Sequence, residues 1–405
     1  MKVLFVHPRF PGQFGLLGRW LHARLGWDVR FLHHGDRGFK EPWKVYGYGP
    51  VQRNASLRGA TATFDEGERH GLAAARTLRG LLEAGEVPDL IVFHSGFGVG
   101  RYLGEVTDIP RSGLFEWCAD PVRARTPARP QTAWSTGRRM TSYGSVASVL
   151  LDLLYCDAAW TSAANQRAQF PPELQHRLRV IPDAYDAALF HPAAEDSRQV
   201  GSLVLPDDRP IVSFASRGLE DERGFDVFMD VAARVQRRRP DTLFVVIGGD
   251  EHIYGPEPDH GFPTYREALV ARFPGDASQI WFHGIVPPRD LVRLFRLTTV
   301  HTYLSDPYVL SWSPRNAMAC GALMVAADHA ATRDLMEDGV TALMAPQTDP
   351  EALADRIIEG IERHADLTPM RRAAEEFVRT TSDIEVVGPQ IASWFEEIAR
   401  TGVRT

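Results

Sequence analysis

Residues 299–327 are the part of the sequence that most constrains the fold. A strand-like run at 299–304 precedes a polar break at 305–307, a helical segment ending at Gly321, and a second strand-like run at 322–327. This order is typical of a βαβ unit, whose two strands are parallel. The chain is therefore predicted to contain a parallel sheet that binds ligands above the carboxyl ends of its strands.

The helix of this unit carries its own start and stop signals. It is predicted to begin near Ser311 or Ser313, with Pro314 in the first turn, where a missing N–H costs little. Gly321 suits the C-terminal cap. The helix N-terminus offers unpaired N–H groups and a partial positive charge, which suits a diphosphate.

Composition indicates a globular protein of two domains. At 405 residues the chain exceeds one ordinary core, so two domains of about 200 residues each are expected. The formal net charge of −7 argues against nucleic-acid binding. Three widely spaced cysteines indicate reduced packing residues, neither a disulfide framework nor a metal site. No apolar run is long enough for a signal peptide or a transmembrane helix, so a cytoplasmic location is expected.

Two adjacent motifs carry a family resemblance. The helix sequence AMACG, which ends at Gly321, and the preceding loop YVLSWS at 308–313 resemble the donor motif of family 4 glycosyltransferases, nearest to a bacterial subgroup. The resemblance implies the GT-B fold, an α/β architecture of two Rossmann-like doubly wound domains facing across a cleft. It also implies a retaining transferase that uses a nucleoside-diphosphate sugar, with no tightly bound cofactor and no metal requirement.

Tyr308 and Asn316 are where the sequence departs from this family. The wider family usually has two glutamates at these places, and in the subgroup the first is often aromatic, as Tyr308 is. The second glutamate accepts hydrogen bonds from the nucleotide ribose. Asn316 can accept through its amide oxygen but carries no charge. We assign Asn316 to the ribose, while its lost charge leaves open a non-catalytic relative.

A turn in the first domain resembles the same subgroup. An apolar strand at 3–6 leads into the PGQF turn, which contains Gly12 and Gln13, and then into an amphipathic helix. Strand, glycine-containing turn and helix is a geometry that binds phosphate. We predict that Gly12 and Gln13 face the donor; the alternative is a plain tight turn.

Two titratable residues follow later strands of the first domain. His94 ends the strand at 90–93, before a glycine-rich turn and a predicted helix, and Glu116 follows the strand at 113–115. By resemblance, His94 hydrogen-bonds the transferred sugar, and Glu116 orients the acceptor or assists its deprotonation. The alternatives are a helix-capping histidine and a structural salt bridge.

Arg217 and Arg223 form the second strong motif. They lie in the loop after the strand at 210–215, and relatives have an arginine and a lysine at this spacing, both directed at the donor diphosphate. Cations are needed there because the leaving nucleoside diphosphate gains negative charge as the glycosidic bond breaks. The alternative is a surface salt bridge to Glu220 or Glu222.

Other donor contacts are predicted from the remaining loops of the second domain. The loop at 248–255 resembles the subgroup and supplies Gly249 and Asp250, and we predict that it lies around the donor and holds no metal. Ile285 stands where relatives contact the nucleobase through backbone atoms. Backbone N–H groups near Leu310 and Ser311 would hold the phosphate and sugar.

Domain boundaries follow from these positions. We predict a first, acceptor-binding domain at 1–192, a linker at 193–209, a donor domain at 210–380, and a C-terminal helix at 381–405 that crosses back to the first domain. Residues 35–62 are predicted to be an irregular excursion, and the arginine-rich segment 123–139 a solvated loop.

These features predict transfer of a GDP- or UDP-linked sugar to a small-molecule acceptor, O- or S-linked, as in natural-product biosynthesis. The partners are the donor and the acceptor, and a homodimer is compatible with the sequence. The alternatives are a non-catalytic sugar-nucleotide-binding or partner subunit, a GT-B sugar-nucleotide epimerase, and transfer to a cell-envelope polysaccharide. Backbone recognition hides the donor base, and no residue specifies the sugar or acceptor.

Overall fold

The structure, a computed structural model, describes residues 1–35, 42–49, 51–52, 54–118, 135–194, 197–253 and 260–402. These residues form two compact units. One unit contains the described residues up to Ala184 and those from Ile384 onward, and the other contains Tyr185–Asp383.

Strands and helices alternate along both units. The strands are β1 (Lys2–Val6), β2 (Asp28–His34), β3 (Lys44–Tyr48), β4 (Leu90–His94), β5 (Arg111–Leu114), β6 (Ala158–Thr161), β7 (Leu178–Val180), β8 (Gln199–Val200), β9 (Leu203–Val204), β10 (Ile211–Gly218), β11 (Leu243–Gly249), β12 (Ile280–His283), β13 (Val300–Tyr303), β14 (Met324–Ala327) and β15 (Leu343–Ala345). The helices are α1 (Gly15–Leu25), α2 (Gly59–Glu83), α3 (Thr136–Tyr155), α4 (Ala164–Arg167), α5 (Phe225–Arg238), α6 (Tyr265–Ala271), α7 (Pro288–Leu297), α8 (Trp312–Ala319), α9 (Ala330–Arg333), α10 (Pro350–Glu362), α11 (Thr368–Ser382) and α12 (Ile384–Thr401). Each of these helices is too short or too polar to cross a bilayer.

The first unit is built on a parallel sheet of seven strands in the order β3-β2-β1-β4-β5-β6-β7. Strand β1 is apolar on both sides because helices cover both faces of the sheet. Val3 and Phe5 pack with α1 and α12, whereas Leu4 and Val6 pack with α2 and α3. Each such buried side chain contributes roughly 1.5–3 kcal/mol to the free energy of unfolding.

The second unit has a parallel sheet of six strands in the order β12-β11-β10-β13-β14-β15. On one face, Val212 and Phe214 pack with α5 and α10. On the other, Tyr303 and Met324 pack with α8 and α11, and Leu243 packs with α7. Both units are therefore doubly wound α/β structures, as the sequence predicted.

The βαβ unit from which the fold was predicted is present as β13, α8 and β14. Ser311 is the N-cap of α8, and its hydroxyl accepts a hydrogen bond from the N–H of Ser313 at 3.3 Å. Gly321 has a φ of 78°, a left-handed value that favours glycine after a helix end.

Two local predictions in the first unit were wrong. The region 35–62, predicted to be irregular, contains β3, which pairs in parallel with β2. The helix expected after His94 is replaced, in the described part of that segment, by a short 3-10 turn at Leu103–Glu105. Gly96 and Gly98 have φ values of 92° and 76°, which an α-helix does not allow.

The predicted linker and the predicted C-terminal segment both contain regular secondary structure. The predicted linker at 193–209 contains β8 and β9, which pair antiparallel. Helix α12 belongs to the first unit and packs on α1, where Glu385 accepts a hydrogen bond from Trp20 Nε1 at 3.1 Å. Residues 123–134 of the predicted arginine-rich loop lie outside the described residues. The last part of that prediction was wrong, because Arg138 and Arg139 lie in the first turn of α3.

Candidate functional site

Each sheet has a point where successive strands begin to be added on the opposite side. In the first unit this point lies between β1 and β4, and in the second between β10 and β13. Loops that leave the carboxyl ends of two such strands diverge, and the crevice between them is where open α/β sheets bind ligands. The topology of each unit therefore marks one ligand-binding edge.

In the first unit, the structure brings together three predicted residues. Gln13 Nε2 donates a hydrogen bond to Glu116 Oε2 at 3.0 Å, and His94 Nε2 lies 3.2 Å from the same oxygen. His94 Nδ1 donates to the carbonyl of Ser95 at 2.8 Å, since a carbonyl only accepts. Glu116 is thus held by side chains that follow two other strands, β1 and β4.

His7, which the sequence analysis missed, is a neighbour of this cluster. Its ring is buried and lies 5.0 Å from the ring of His94, centroid to centroid. Burial first, and then the charge of His94, lower the pKa of His7 to about 3, so its ring is neutral near pH 7. Gly12 lies against this ring, since a Cβ at Gly12 would be 2.9 Å from it. A polar residue directly after an apolar strand is the signal that could have identified His7.

Asp152 on α3 holds the turn that follows His94. Its Oδ2 accepts hydrogen bonds from Ser95 Oγ at 3.1 Å and from the N–H of Gly96 at 3.2 Å. Burial raises the pKa of Asp152 to about 6, although these hydrogen bonds and the charge of Arg101 oppose the rise. The turn beside His94 is therefore fastened by a carboxyl group that titrates near pH 6.

Because the pKa of Asp152 is raised, we expect the free energy of unfolding to depend on pH. Its folded-state pKa lies above its ordinary value near 4, so its contribution to the free energy of unfolding is fully present below pH 4. That contribution is lost as the pH rises through 6. Over the whole titration the loss is about 3 kcal/mol, of which about 2 kcal/mol falls between pH 4.5 and pH 7.5. Urea unfolding at pH 4.5 and 7.5 should show a smaller pH difference in Asp152→Asn; an equal difference would contradict the assignment.

In the second unit, the loop after β10 carries both predicted arginines in different environments. Arg223 is 8% exposed, and its Cζ lies 5.1 Å from the ring centroid of Tyr308, a cation–π distance. Arg217 is exposed and forms no ion pair within the described part of the chain, so the alternative of a salt bridge to Glu220 or Glu222 is not formed by this residue. The loop therefore offers one anchored and one solvent-facing guanidinium.

The loop after β13 is tied to the arginine loop. The N–H of Asp306 donates to the carbonyl of Glu222 at 2.9 Å. Leu310 is buried, and the N–H of Ser311 donates to the Tyr303 hydroxyl at 3.1 Å. A backbone contact of Ser311 with phosphate, as predicted, would require that bond to break. Asn316 is half-buried in the second turn of α8.

The loops after β11 and β12 carry the remaining predicted residues. Gly249 accepts a hydrogen bond at its carbonyl from the N–H of Leu219 at 2.9 Å. The carboxylate of Asp250 is paired with Arg266 Nη2 at 2.8 Å. Ile285 is 70% exposed, and a side chain on Gly249 would lie 3.6 Å from it. Gly249 and Ile285 are therefore neighbours, whereas the Asp250 carboxylate is paired with Arg266 of the same unit.

His252, two residues after Asp250, has a side chain that points inward and is 5% exposed. Its Nδ1 lies 3.4 Å from Glu220 Oε2, and its Nε2 lies 3.2 Å from Asp221 Oδ1 and 3.8 Å from Glu222 Oε2. Ligand atoms of Glu220, Glu222 and His252 lie within 4.8 Å of one another, a set that could hold a metal ion. These contacts link residues about 30 positions apart in the chain, and no sequence pattern predicts them.

The neighbours of Asp221 in this cluster lower its pKa. Burial would raise the pKa of Asp221, but its hydrogen bond with Glu222 and the charge of His252 bring that pKa below the ordinary value. Asp221 is thus held as a carboxylate against the imidazole ring.

The two edges support different chemistry. In the second unit, two guanidinium groups and the N-terminus of α8 can bind phosphate oxygens and stabilise charge on a leaving diphosphate. In the first unit, the side chains of Gln13, His94 and Glu116 offer hydrogen-bond donors and acceptors for hydroxyl groups. A carboxylate such as that of Glu116 can also accept a proton.

Family models match both halves of the chain. Residues 25–190 match the model described as "Glycosyl transferase family 4 group", and residues 209–363 match "Glycosyl transferases group 1". Each half is therefore similar in sequence to a glycosyltransferase domain.

Relatives in sequence carry glycosyltransferase names. The chain is 28% identical over 202 residues to D-inositol 3-phosphate glycosyltransferase of Acidothermus cellulolyticus, which covers 49% of this chain and 43% of the relative. The chain thus spans less than half the length of that protein. It is 24% identical over 403 residues to alpha-D-kanosaminyltransferase of Streptomyces kanamyceticus, covering 98% of this chain and 88% of the relative.

Solved structures share the whole fold. Sucrose-phosphate synthase from Thermosynechococcus elongatus superposes with a TM-score of 0.76 at 19% identity, over 98% of this chain and 99% of the other. Anabaena HepE in complex with UDP-glucose superposes with a TM-score of 0.72 at 18% identity, over 98% and 100%. The fold is that of these GT-B proteins.

Proposed function

We infer that this chain, each half of which is similar in sequence to a glycosyltransferase domain, is a GT-B glycosyltransferase that moves a sugar from a nucleoside-diphosphate sugar to a small-molecule acceptor with retention of configuration. The observation that carries this proposal is the arginine loop after β10, where Arg223 is anchored over Tyr308 and Arg217 faces solvent. Paired cations at a ligand-binding edge match the charge of a diphosphate leaving group.

On the donor side, Arg217 and Arg223 bind the diphosphate and stabilise the charge that it gains as the glycosidic bond breaks. Asn316 accepts a hydrogen bond from the ribose through its amide oxygen. UDP is the first donor class to test, because HepE was solved with UDP-glucose. We assign no metal to the diphosphate, although the Glu220, Glu222 and His252 set requires a direct test.

On the acceptor side, Gln13, His94 and Glu116 bind sugar and acceptor hydroxyl groups. The bond from the anomeric carbon to the phosphate oxygen breaks, and a bond to the acceptor oxygen forms on the same face. The acceptor proton passes to the leaving phosphate, so no protein nucleophile is required. The relative named for inositol 3-phosphate supports a small hydroxylated acceptor, whereas the relative named for a kanosaminyl group is named for the sugar that it transfers.

Nucleotide binding is the first test. Thermal unfolding with UDP, GDP, ADP, CMP and dTDP should show an upward shift with one diphosphate, since a ligand that binds only the folded state stabilises it by about 2.7 kcal/mol at 100 times its Kd. Chromatography of the matching nucleotide sugar, with and without inositol and amino-sugar acceptors, should then show acceptor-dependent nucleoside-diphosphate release. Binding without turnover would favour a non-catalytic protein, and a changed sugar without acceptor would favour an epimerase.

A further inference from the structure

We propose that His329 and Gln347 are positioning residues for the donor: their side chains hold residues 304–306, the start of the loop that leads to Tyr308. The inference rests on the proposed function and extends it to two residues outside the predicted donor contacts. Both residues act through the loop after β13, to which each is hydrogen-bonded.

The strand pairing that holds β13 stops just before this segment. Tyr303 is the last residue of β13 that pairs with β14, and Leu304 and Ser305, which follow it, are buried. A buried backbone carbonyl outside a sheet has to find another hydrogen-bond donor. Strands β14 and β15 continue the sheet in parallel beside β13, so the loops that follow them lie at the same edge and can supply those donors.

His329, two residues after β14, has two separate contacts. Its Nε2 donates to the carbonyl of Ser305 at 2.9 Å, since a carbonyl only accepts. Its Nδ1 accepts a hydrogen bond from the N–H of Thr332 at 3.3 Å, which makes His329 the N-cap of α9. Burial lowers the pKa of His329, although the hydrogen bond with Ser305 opposes the fall. A neutral ring with one donor and one acceptor therefore fits both contacts.

Gln347, two residues after β15, holds the segment on both sides of Ser305. Its Nε2 donates to the carbonyl of Leu304 at 2.6 Å and to Asp306 Oδ1 at 2.9 Å. A carbonyl and a carboxylate are both acceptors, so they determine which end of the amide faces them. Gln347 is 4% exposed, and these hydrogen bonds are therefore shielded from water.

The held segment sets the position of Tyr308 and of the arginine above it. The N–H of Tyr308 donates to the carbonyl of Asp306 at 2.9 Å, so a shift of the segment moves the ring that Arg223 lies over. The N–H of Asp306 in turn donates to the carbonyl of Glu222, directly before Arg223, at 2.9 Å. A displacement of about 1 Å in a binding group can cost about 100-fold in rate.

A pair of variants separates the two contacts of His329. His329→Asn keeps an oxygen that can accept the N–H of Thr332, since asparagine is a preferred N-cap, but its side chain is too short to reach Ser305. His329→Gln places an amide N–H near the position of Nε2 instead. We expect His329→Asn to raise the Kd for the preferred diphosphate and the donor KM about 10-fold, with the acceptor KM unchanged, and His329→Gln to stay within about 3-fold of the wild type.

Gln347→Met reaches the same segment independently and serves if His329→Asn does not fold. Methionine has about the length of glutamine but no N–H donor, so both hydrogen bonds of Gln347 are lost. The Kd for the diphosphate should again rise about 10-fold. His191→Asn changes an exposed histidine of the same unit and should match the wild type. Calorimetric titration with the diphosphate gives Kd, and initial rates give the two KM values.

Three results would overturn the inference. The first is an unchanged diphosphate Kd in folded His329→Asn or folded Gln347→Met. The second is a His329→Gln variant that binds no better than His329→Asn, since the bond to Ser305 would then have no part in donor binding. The third is a rise in the acceptor KM equal to that in the donor KM, which would indicate general loosening. If the wild type neither binds nor turns over any sugar nucleotide, it is the proposed function that fails.

Discussion

Replacing Arg223 by alanine is expected to lower kcat by about 100- to 1,000-fold, the cost of removing one preorganised group that stabilises transition-state charge. Arg223 is 8% exposed and lies over Tyr308, so its guanidinium is already oriented before the donor arrives. Its charge matters most as the diphosphate leaves, so kcat should fall more than the donor KM rises. Initial rates over a range of donor concentrations separate the two parameters.

Two variants control for charge and for folding. Arg223→Lys keeps the cation and should retain activity within about 10-fold, because lysine supplies charge without the paired N–H groups. Arg237→Ala removes an exposed arginine from α5 of the same unit and should behave as wild type. Wild-type kinetics in a folded Arg223→Ala variant would show that Arg223 has no role in the reaction.

The sequence predicted the architecture because local signals agreed with the pattern of buried strands. Ser311 and Gly321 bound α8 by capping, which depends on a few neighbouring residues. Strands such as β1 are apolar on both faces, which indicates a parallel sheet covered on both sides. Strand β3 escaped notice because its five residues stand alone in a glycine-rich, charged segment, and only pairing with β2 defines it.

Residues in the loops that follow adjacent strands were predictable, although His7, directly after β1, was missed. Contacts between separate loops were less predictable. Gln13, His94 and Glu116 meet because β1, β4 and β5 are adjacent and parallel. His252 meets Glu220 only through the fold of two separate loops, and no spacing reveals it. The Tyr303 hydroxyl likewise accepts a hydrogen bond from the N–H of Ser311, a tertiary contact that sequence spacing does not predict.

Gly224→Ala is expected to lower the free energy of unfolding of the second unit by about 2–5 kcal/mol, the sum of left-handed backbone strain and overpacking. Gly224 has a φ of 73° and joins the arginine loop to α5. An added Cβ would lie 2.0 Å from the carbonyl oxygen of Leu304, a backbone atom that cannot swing away. Because Leu304 begins the loop to Tyr308, the same change should abolish stabilisation by the preferred diphosphate.

Gly339→Ala separates the two causes of that loss. Gly339 lies in the same unit with a φ of 75°, but a Cβ there meets no atom within 4 Å. Its alanine variant should lose only about 1–2 kcal/mol, the strain alone, and keep the full thermal shift with diphosphate. Urea unfolding of both variants measures the difference. Equal losses of stability would mean that close contact between the loop after β10 and the end of β13 adds nothing, and an intact nucleotide shift in folded Gly224→Ala would mean that this contact does not position Arg223.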